Sequence, residues 1–140
     1  MSDIATHARL KAADAQLPIS WYFDPEILAL EKARLFNRGP NYVGHELMVP
    51  AAGSYQTLGW RNHDKVLVHN DDGVALLSNV CRHRQALLLE GRGKGTNIVC
   101  PAHRWTYDMR GRLLGAPDFS ENHGLCLRET RLQKWHGLLF

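Results

Sequence analysis

Two short segments concentrate the residue types that bind metals. Cys81-Arg82-His83 has the spacing Cys-x-His, and Cys100-Pro101-Ala102-His103, sixteen residues further on, has Cys-x-x-His. Each half supplies one thiolate and one imidazole. Four such donors suit either a tetrahedral zinc ion or an iron–sulfur cluster. In a Cys-x-His loop the two ligands can diverge, one to each iron of a two-iron cluster, whereas a single ion needs both to converge. Gly91, Gly93 and Gly95 lie between the halves, and each half sits where a strand runs into a loop, so two facing hairpin tips would bring the four donors together. The remaining candidates are weaker. His63, Asp64 and His69 look like a triad, but six residues of strand separate the two histidines by about 20 Å, too far for one ion. His45, His123 and His136 have no partner at ligand spacing and read as structural, and Cys126 reads as an inert buried thiol.

The elements that must position these loops follow from the rest of the chain. Its 140 residues are 44% apolar and 22% charged, an ordinary globular balance that excludes collagen, coiled coil and disorder. No apolar stretch approaches the roughly 18 residues of a membrane span, and the first residues lack the apolar run of a secretory signal. Three cysteines are too few for a disulfide scaffold, so a reducing cytoplasmic location is expected. Residues 1–17 are polar and alanine-rich, read as a frayed helix or docking arm. Asp24-Pro25-Glu26 then carries a helix start, and Gly39-Pro40 its stop.

From residue 41 the texture becomes β. Runs at Asn41–Val49, Ser54–Trp60, Lys65–His69, Val74–Val80, Asn97–Cys100, Thr106–Met109 and Arg131–Phe140 alternate with turn signals, Asn70-Asp71-Asp72-Gly73 marking a hairpin. The fold expected is all-β with a short N-terminal helical arm: residues 1–40 as the arm, and 41–140 as a small antiparallel sandwich or barrel bearing the two loops. The terminal run from Trp135 to Phe140 reads as a strand still running, as in a chain that belongs to a longer protein. Net charge is +3, too small to announce a nucleic-acid partner. Yet residues 81–112 hold seven basic and two acidic side chains, leaving −2 on the remainder, so the basic charge accompanies the two loops. An acidic docking partner would suit it.

The two-loop motif resembles that of Rieske proteins, in which two cysteines hold one iron and two histidines the other. The resemblance implies a 2Fe–2S cluster with Cys81 and Cys100 on the inner iron and His83 and His103 on the outer. The flanks narrow it. Trp21-Tyr22-Phe23-Asp24-Pro25-Glu26, Tyr42-Val43-Gly44-His45, Asn79-Val80-Cys81-Arg82-His83-Arg84 and Trp105-Thr106-Tyr107-Asp108 are similar to the large subunit of Rieske non-haem iron oxygenases, the aromatic-ring-hydroxylating group. That resemblance implies Trp105 and Tyr107 shielding the cluster and supplying hydrogen bonds, Pro117 in a covering loop, and Arg84 and Arg104 at a subunit boundary. It further implies electrons from a reductase or ferredoxin, a ring of three subunits, and a mononuclear iron in a catalytic domain absent from this chain. Substrates in the family include aromatic acids, hydrocarbons and quaternary amines. The competing readings are a stand-alone Rieske ferredoxin-like carrier and a zinc-bearing structural domain. Three positions depart from the usual pattern: Gln85 and Arg104 stand where glycine is common, and Ala102 where an aromatic is. No second cysteine pair staples the loops, which fits the lower-potential oxygenase type.

Overall fold

The computed structural model describes residues 17–61, 63–119 and 124–140; most of the expected N-terminal arm, residues 1–16, and His123 lie outside them. The chain divides into two compact units, Met1–Asn41 and Tyr42–Phe140.

In the first unit a 3-10 turn, Ile19–Tyr22, leads to helix α1, Pro25–Glu31. Its start is the one expected. The Asp24 carboxylate accepts from the Glu26 N–H at 2.8 Å, and Pro25 occupies the first position, where no N–H is needed. The helix runs on as a wider π turn, Lys32–Phe36, with the Asn37 N–H bonding Lys32 O at 2.9 Å. No residue of these three elements is buried.

The second unit is built from antiparallel strands. They are β1 Gly44–His45, β2 Ser54–Thr57, β3 Lys65–Asn70, β4 Gly73–Ser78, β5 Arg92–Lys94, β6 Asn97–Val99, β7 Thr106–Asp108, β8 Leu113–Gly115, β9 Glu129–Thr130, β10 Lys134–Trp135 and β11 Leu138–Leu139. Five pair in the order β5-β2-β3-β4-β9, and two smaller sheets run β6-β7-β8 and β1-β11-β10. The β3–β4 hairpin turns on Asp71-Asp72, where the Asp72 N–H bonds the Asn70 side chain at 2.9 Å. β3 lies at the centre. Val66, Leu67 and Val68 are all fully buried, so the strand reads as a continuous apolar run rather than an alternating one. Val66 and Val68 face one core with Cys81, Cys100, Trp105 and Tyr107; Leu67 faces the other with Val43, Val49, Leu58 and Leu139.

Two differences from the sequence reading are local. Asn41–Val49 keeps only two residues of strand before a 3-10 turn, Glu46–Met48. The run ending at Phe140 is a tight hairpin rather than one continuing strand. His136 and Gly137 both adopt positive φ, 47° and 83°, as a two-residue type I′ turn demands.

The edge of the large sheet depends on Gly53. Its φ is +83°, its N–H bonds His69 O at 2.8 Å, its carbonyl accepts from Gly95 at 2.9 Å, and a Cβ would sit 2.7 Å from Gly95 O. Gly53→Ala is expected to destabilise the unit by at least about 2 kcal/mol, since left-handed strain adds to a backbone clash. Urea denaturation checks it; an unchanged midpoint would show that the loop relaxes freely.

Candidate metal centre

The two Cys/His segments fold into two separate loops of the same form. Cys81 follows the bridge that Val80 makes with Leu87, and Cys100 follows β6. In the first loop the Cys81 N–H bonds Ala86 O at 2.9 Å, and the Gln85 N–H bonds Cys81 O at 3.1 Å. In the second the Cys100 N–H bonds Trp105 O at 2.8 Å, and the Arg104 N–H bonds Cys100 O at 3.0 Å. Closing six residues this way needs a left-handed residue at the fifth place, and Gln85 and Arg104 supply it with φ of 60° and 58°. Each costs about 1–2 kcal/mol that glycine would not. The departures at 85 and 104 are therefore strained substitutions at equivalent places in two equivalent loops.

This geometry sorts the four candidate ligands. Cys81 and Cys100 are each 2% exposed and belong to the core, whereas His83 is half-buried and His103 exposed at the loop tips. The imidazoles meet edge to face with centroids 4.7 Å apart. Among the described residues no three Cys, His, Asp or Glu side chains converge on a point that could hold one metal ion. The four candidates are thus two buried thiols and two meeting imidazoles, not a closed tetrahedron.

The surroundings fix these positions. His83 stacks on Trp105, 4.9 Å between centroids and 6° from parallel, and the Phe119 edge closes on both rings at 5.5 and 5.2 Å. Burial, then His103 and Arg84, push the His83 imidazole below its ordinary range, which favours the neutral ring. His83 Nδ1 and Trp105 Nε1 are buried with no hydrogen-bond partner among the described residues. Buried polar nitrogens left this way are costly, and a metal-bound cluster beside them would relieve that cost, so the site fits such a group. The Tyr107 hydroxyl lies 3.4 Å from Cys81 Sγ and accepts from the Arg82 N–H at 3.1 Å. Burial first, and then the bond with Cys81, push its phenol well above the ordinary range, so it stays protonated.

Two residues at the site were given no role of their own in the sequence reading. Asn79 is fully buried: its amide donates to His63 O and Leu89 O, each at 2.8 Å, and accepts from the Leu89 N–H at 3.0 Å, pinning the root of the first loop. Its signal was a lone amide between apolar residues just before Cys81. Phe119 was the other. Pro117, expected to cover the site, is exposed in the turn that delivers Phe119, whose N–H bonds Ala116 O at 3.1 Å. Arg84 is exposed beside His83.

The other candidates stay apart. His63 Nδ1 pairs with the Thr57 hydroxyl at 3.3 Å, His69 Nδ1 with Val49 O at 2.7 Å, and His45 Nδ1 accepts from the Leu47 N–H at 3.1 Å. His136 packs edge-on to Trp135 at 4.8 Å. Cys126 corrects an expectation: it is exposed rather than buried, in an irregular stretch where its N–H bonds Gly124 O at 2.8 Å.

An antiparallel β unit presenting two such loops is a definable class, and comparison with known proteins identifies it. Residues 40–135 match the Rieske [2Fe-2S] domain, and the chain belongs to that family. It is 55% identical over 140 residues to putrescine 2-hydroxylase of Ralstonia nicotianae, covering all of this chain and 38% of that protein. It is 38% identical over 120 residues to the oxygenase subunit of glycine betaine monooxygenase from Chromohalobacter salexigens, covering 84% of this chain and 27% of the relative. Among solved structures, naphthalene 1,2-dioxygenase with indole in its active site superposes with a TM-score of 0.68 at 29% identity, over 83% of this chain and 28% of that one. The chain therefore spans well under half the length of these proteins. No described helix is long and apolar enough to cross a membrane.

Proposed function

We propose that this chain is the electron-relay part of a Rieske non-haem iron oxygenase. Cys81 and Cys100 would hold the inner iron of its 2Fe–2S cluster, and His83 and His103 the outer. The observation that supports this is the pair of equivalent loops, with thiols buried beneath two imidazoles 4.7 Å apart. When bound, the cluster supplies a one-electron store. The protein's part is positioning: Asn79 roots one loop, Trp105 and Phe119 hold the His83 plane, and the core keeps water from the thiols. Residues 1–40 are assigned to an arm and 41–140 to the cluster domain. Electrons would arrive singly from a reductase or ferredoxin and leave through the exposed histidine edge toward a mononuclear iron in a longer, trimeric and cytoplasmic enzyme. For that enzyme the relatives named for putrescine and glycine betaine favour an amine or ammonium substrate over an aromatic hydrocarbon. The stand-alone carrier is disfavoured because these relatives are oxygenases.

The test is spectroscopic. Purified chain is expected to be red-brown, with matched iron and acid-labile sulfide and a rhombic EPR signal on reduction. A colourless protein holding one zinc would overturn the assignment.

Tyr107 tunes the same centre. A protonated phenol donating to a ligand sulfur favours the more negative, reduced state. Tyr107→Phe is expected to lower the midpoint potential; a differential bond of about 1 kcal/mol corresponds to about 40 mV for one electron. Protein-film voltammetry reads the shift, and an unchanged potential would remove Tyr107 from the ligand environment.

A further inference from the structure

At the end of β6 and β7 away from Cys100 and Trp105, three turns of the β unit meet. Asn97, which opens β6, pairs with Asp108, which closes β7. Lys94, which closes β5, pairs with Ser54 next to Gly53. The β3–β4 hairpin brings Asn70 to the same place, where its amide donates to Met109 O at 3.3 Å. Between these turns lies an open cleft of about 520 Å³, within the size range of small-molecule sites.

The acidic groups around the cleft are committed within the fold. Asp108 Oδ1 accepts from the N–H groups of Arg110 and Arg112 at 2.9 and 2.8 Å, and its Oδ2 accepts from Arg112 Nε at 2.6 Å. Both oxygens of Asp72 take the Arg110 guanidinium, each at 2.9 Å, and Asp71 lies 4.0 Å from that same group. The donors are not committed in the same way. Lys94 forms no ion pair among the described residues, Arg112 pairs through Nε and leaves its two terminal nitrogens, and no described group bonds the Thr96 hydroxyl. All three residues line the cleft and all three are exposed. The unfilled hydrogen-bonding capacity is thus an ammonium, a guanidinium end and a hydroxyl, which together suit an anion.

We propose that this cleft binds a small phosphorylated molecule, with its phosphate held by Lys94, the terminal nitrogens of Arg112 and the Thr96 hydroxyl. A planar carboxylate is matched by a single guanidinium fork, whereas a tetrahedral phosphate accepts from several directions at once and takes an ammonium as a point charge. The donors are held in place by the fold. Lys94 and Thr96 flank Gly95, whose N–H bonds Gly53 O at 2.9 Å, and Arg112 is fixed by Asp108. The cleft is larger than a phosphate alone, and Ala52, Asn70 and Met109 line the room left for an organic body. The site lies in the β unit but apart from the two Cys/His loops, so it stands independently of the electron-relay reading.

Titration calorimetry of the purified chain tests this, with inorganic pyrophosphate as the probe and sodium chloride holding the ionic strength constant. One saturable site per chain is expected. Lys94→Gln is expected to weaken binding about tenfold and Thr96→Val about threefold, while Lys94→Arg stays within about twofold of the wild type, because hydrogen bonds to charged groups contribute more than neutral ones. Neither side chain bonds another described residue, so all three variants should melt as the wild type does without the probe. Pyrophosphate should raise the melting temperature of the wild type and of Lys94→Arg, and raise that of Lys94→Gln less. No saturable binding, or an affinity unchanged in Lys94→Gln, would overturn the proposal. So would citrate binding as tightly as pyrophosphate, which would mark a general attraction for negative charge. Colour and EPR should not change on saturation, because the cleft lies at the opposite end of β6 from Cys100. Bleaching in step with binding would place the probe at the cluster and overturn the assignment to this cleft.

Discussion

Cys81→Ala is expected to abolish iron binding altogether: a colourless chain, no EPR signal after reduction, and iron content at background. Cys81 is 2% exposed, in the core with Cys100, Trp105 and Tyr107. Cys126, exposed and far along the chain, is the internal control, and Cys126→Ser should retain full colour. The loss should also appear in folding, because a bound metal centre stabilises the state that holds it, and apo chain should melt at lower temperature. His103→Cys is the informative opposite. It offers the site another thiolate, so a cluster that survives should have a lower potential from the added negative charge. Full iron content in Cys81→Ala would remove that cysteine from the ligand set.

What could be read in the sequence was whatever depended on contiguous residues. The start of α1 was legible because Asp24, Pro25 and Glu26 each act within one turn. The β3–β4 hairpin was legible because Asn70-Asp71-Asp72-Gly73 is a local turn signal between two apolar runs. The two Cys/His segments could be singled out because ligand spacing is itself a sequence property, and the structure brings their two imidazoles together. The strands missed were those whose pairing comes from elsewhere. β5 is Arg-Gly-Lys and becomes a strand only because Tyr55 and its neighbours offer an edge to pair with; β9, two residues long, exists only against Leu76 and Leu77. The turn at His136-Gly137 was missed because His136 is a poor advertisement for positive φ. Exposure of Cys126 and the approach of Phe119 to His83 are set by how loops fall in space. The equivalence of the two loops was also hidden. The histidine stands third in one and fourth in the other, and only the shared hydrogen-bond closure and left-handed fifth residue reveal the common backbone.

Trp105 joins fold to site, and its removal should be felt in both. The side chain is 1% exposed, among the largest of the core, and one face stacks on His83. Trp105→Ala removes that burial and leaves a cavity bounded by a sheet and a loop that cannot both close on it, an expected cost of about 3–5 kcal/mol. That is a large part of the roughly 5–15 kcal/mol a domain has in hand, so the melting temperature should fall by more than about 10 °C. His83 would lose its parallel support and keep only the edges of Phe119 and His103, so its imidazole plane would widen its range of orientation. Trp105→Phe tests the two roles separately. A smaller ring restores most of the packing and a stacking face but has no indole N–H, the buried donor for which the described protein offers no acceptor. If the aromatic plane is what positions His83, Trp105→Phe should recover both the melting temperature and the line shape of the EPR signal. If only bulk matters, Trp105→Leu should recover them equally well. Calorimetry and EPR on the three variants decide, and a loss below about 1 kcal/mol for the alanine variant would show that this ring is not part of the core.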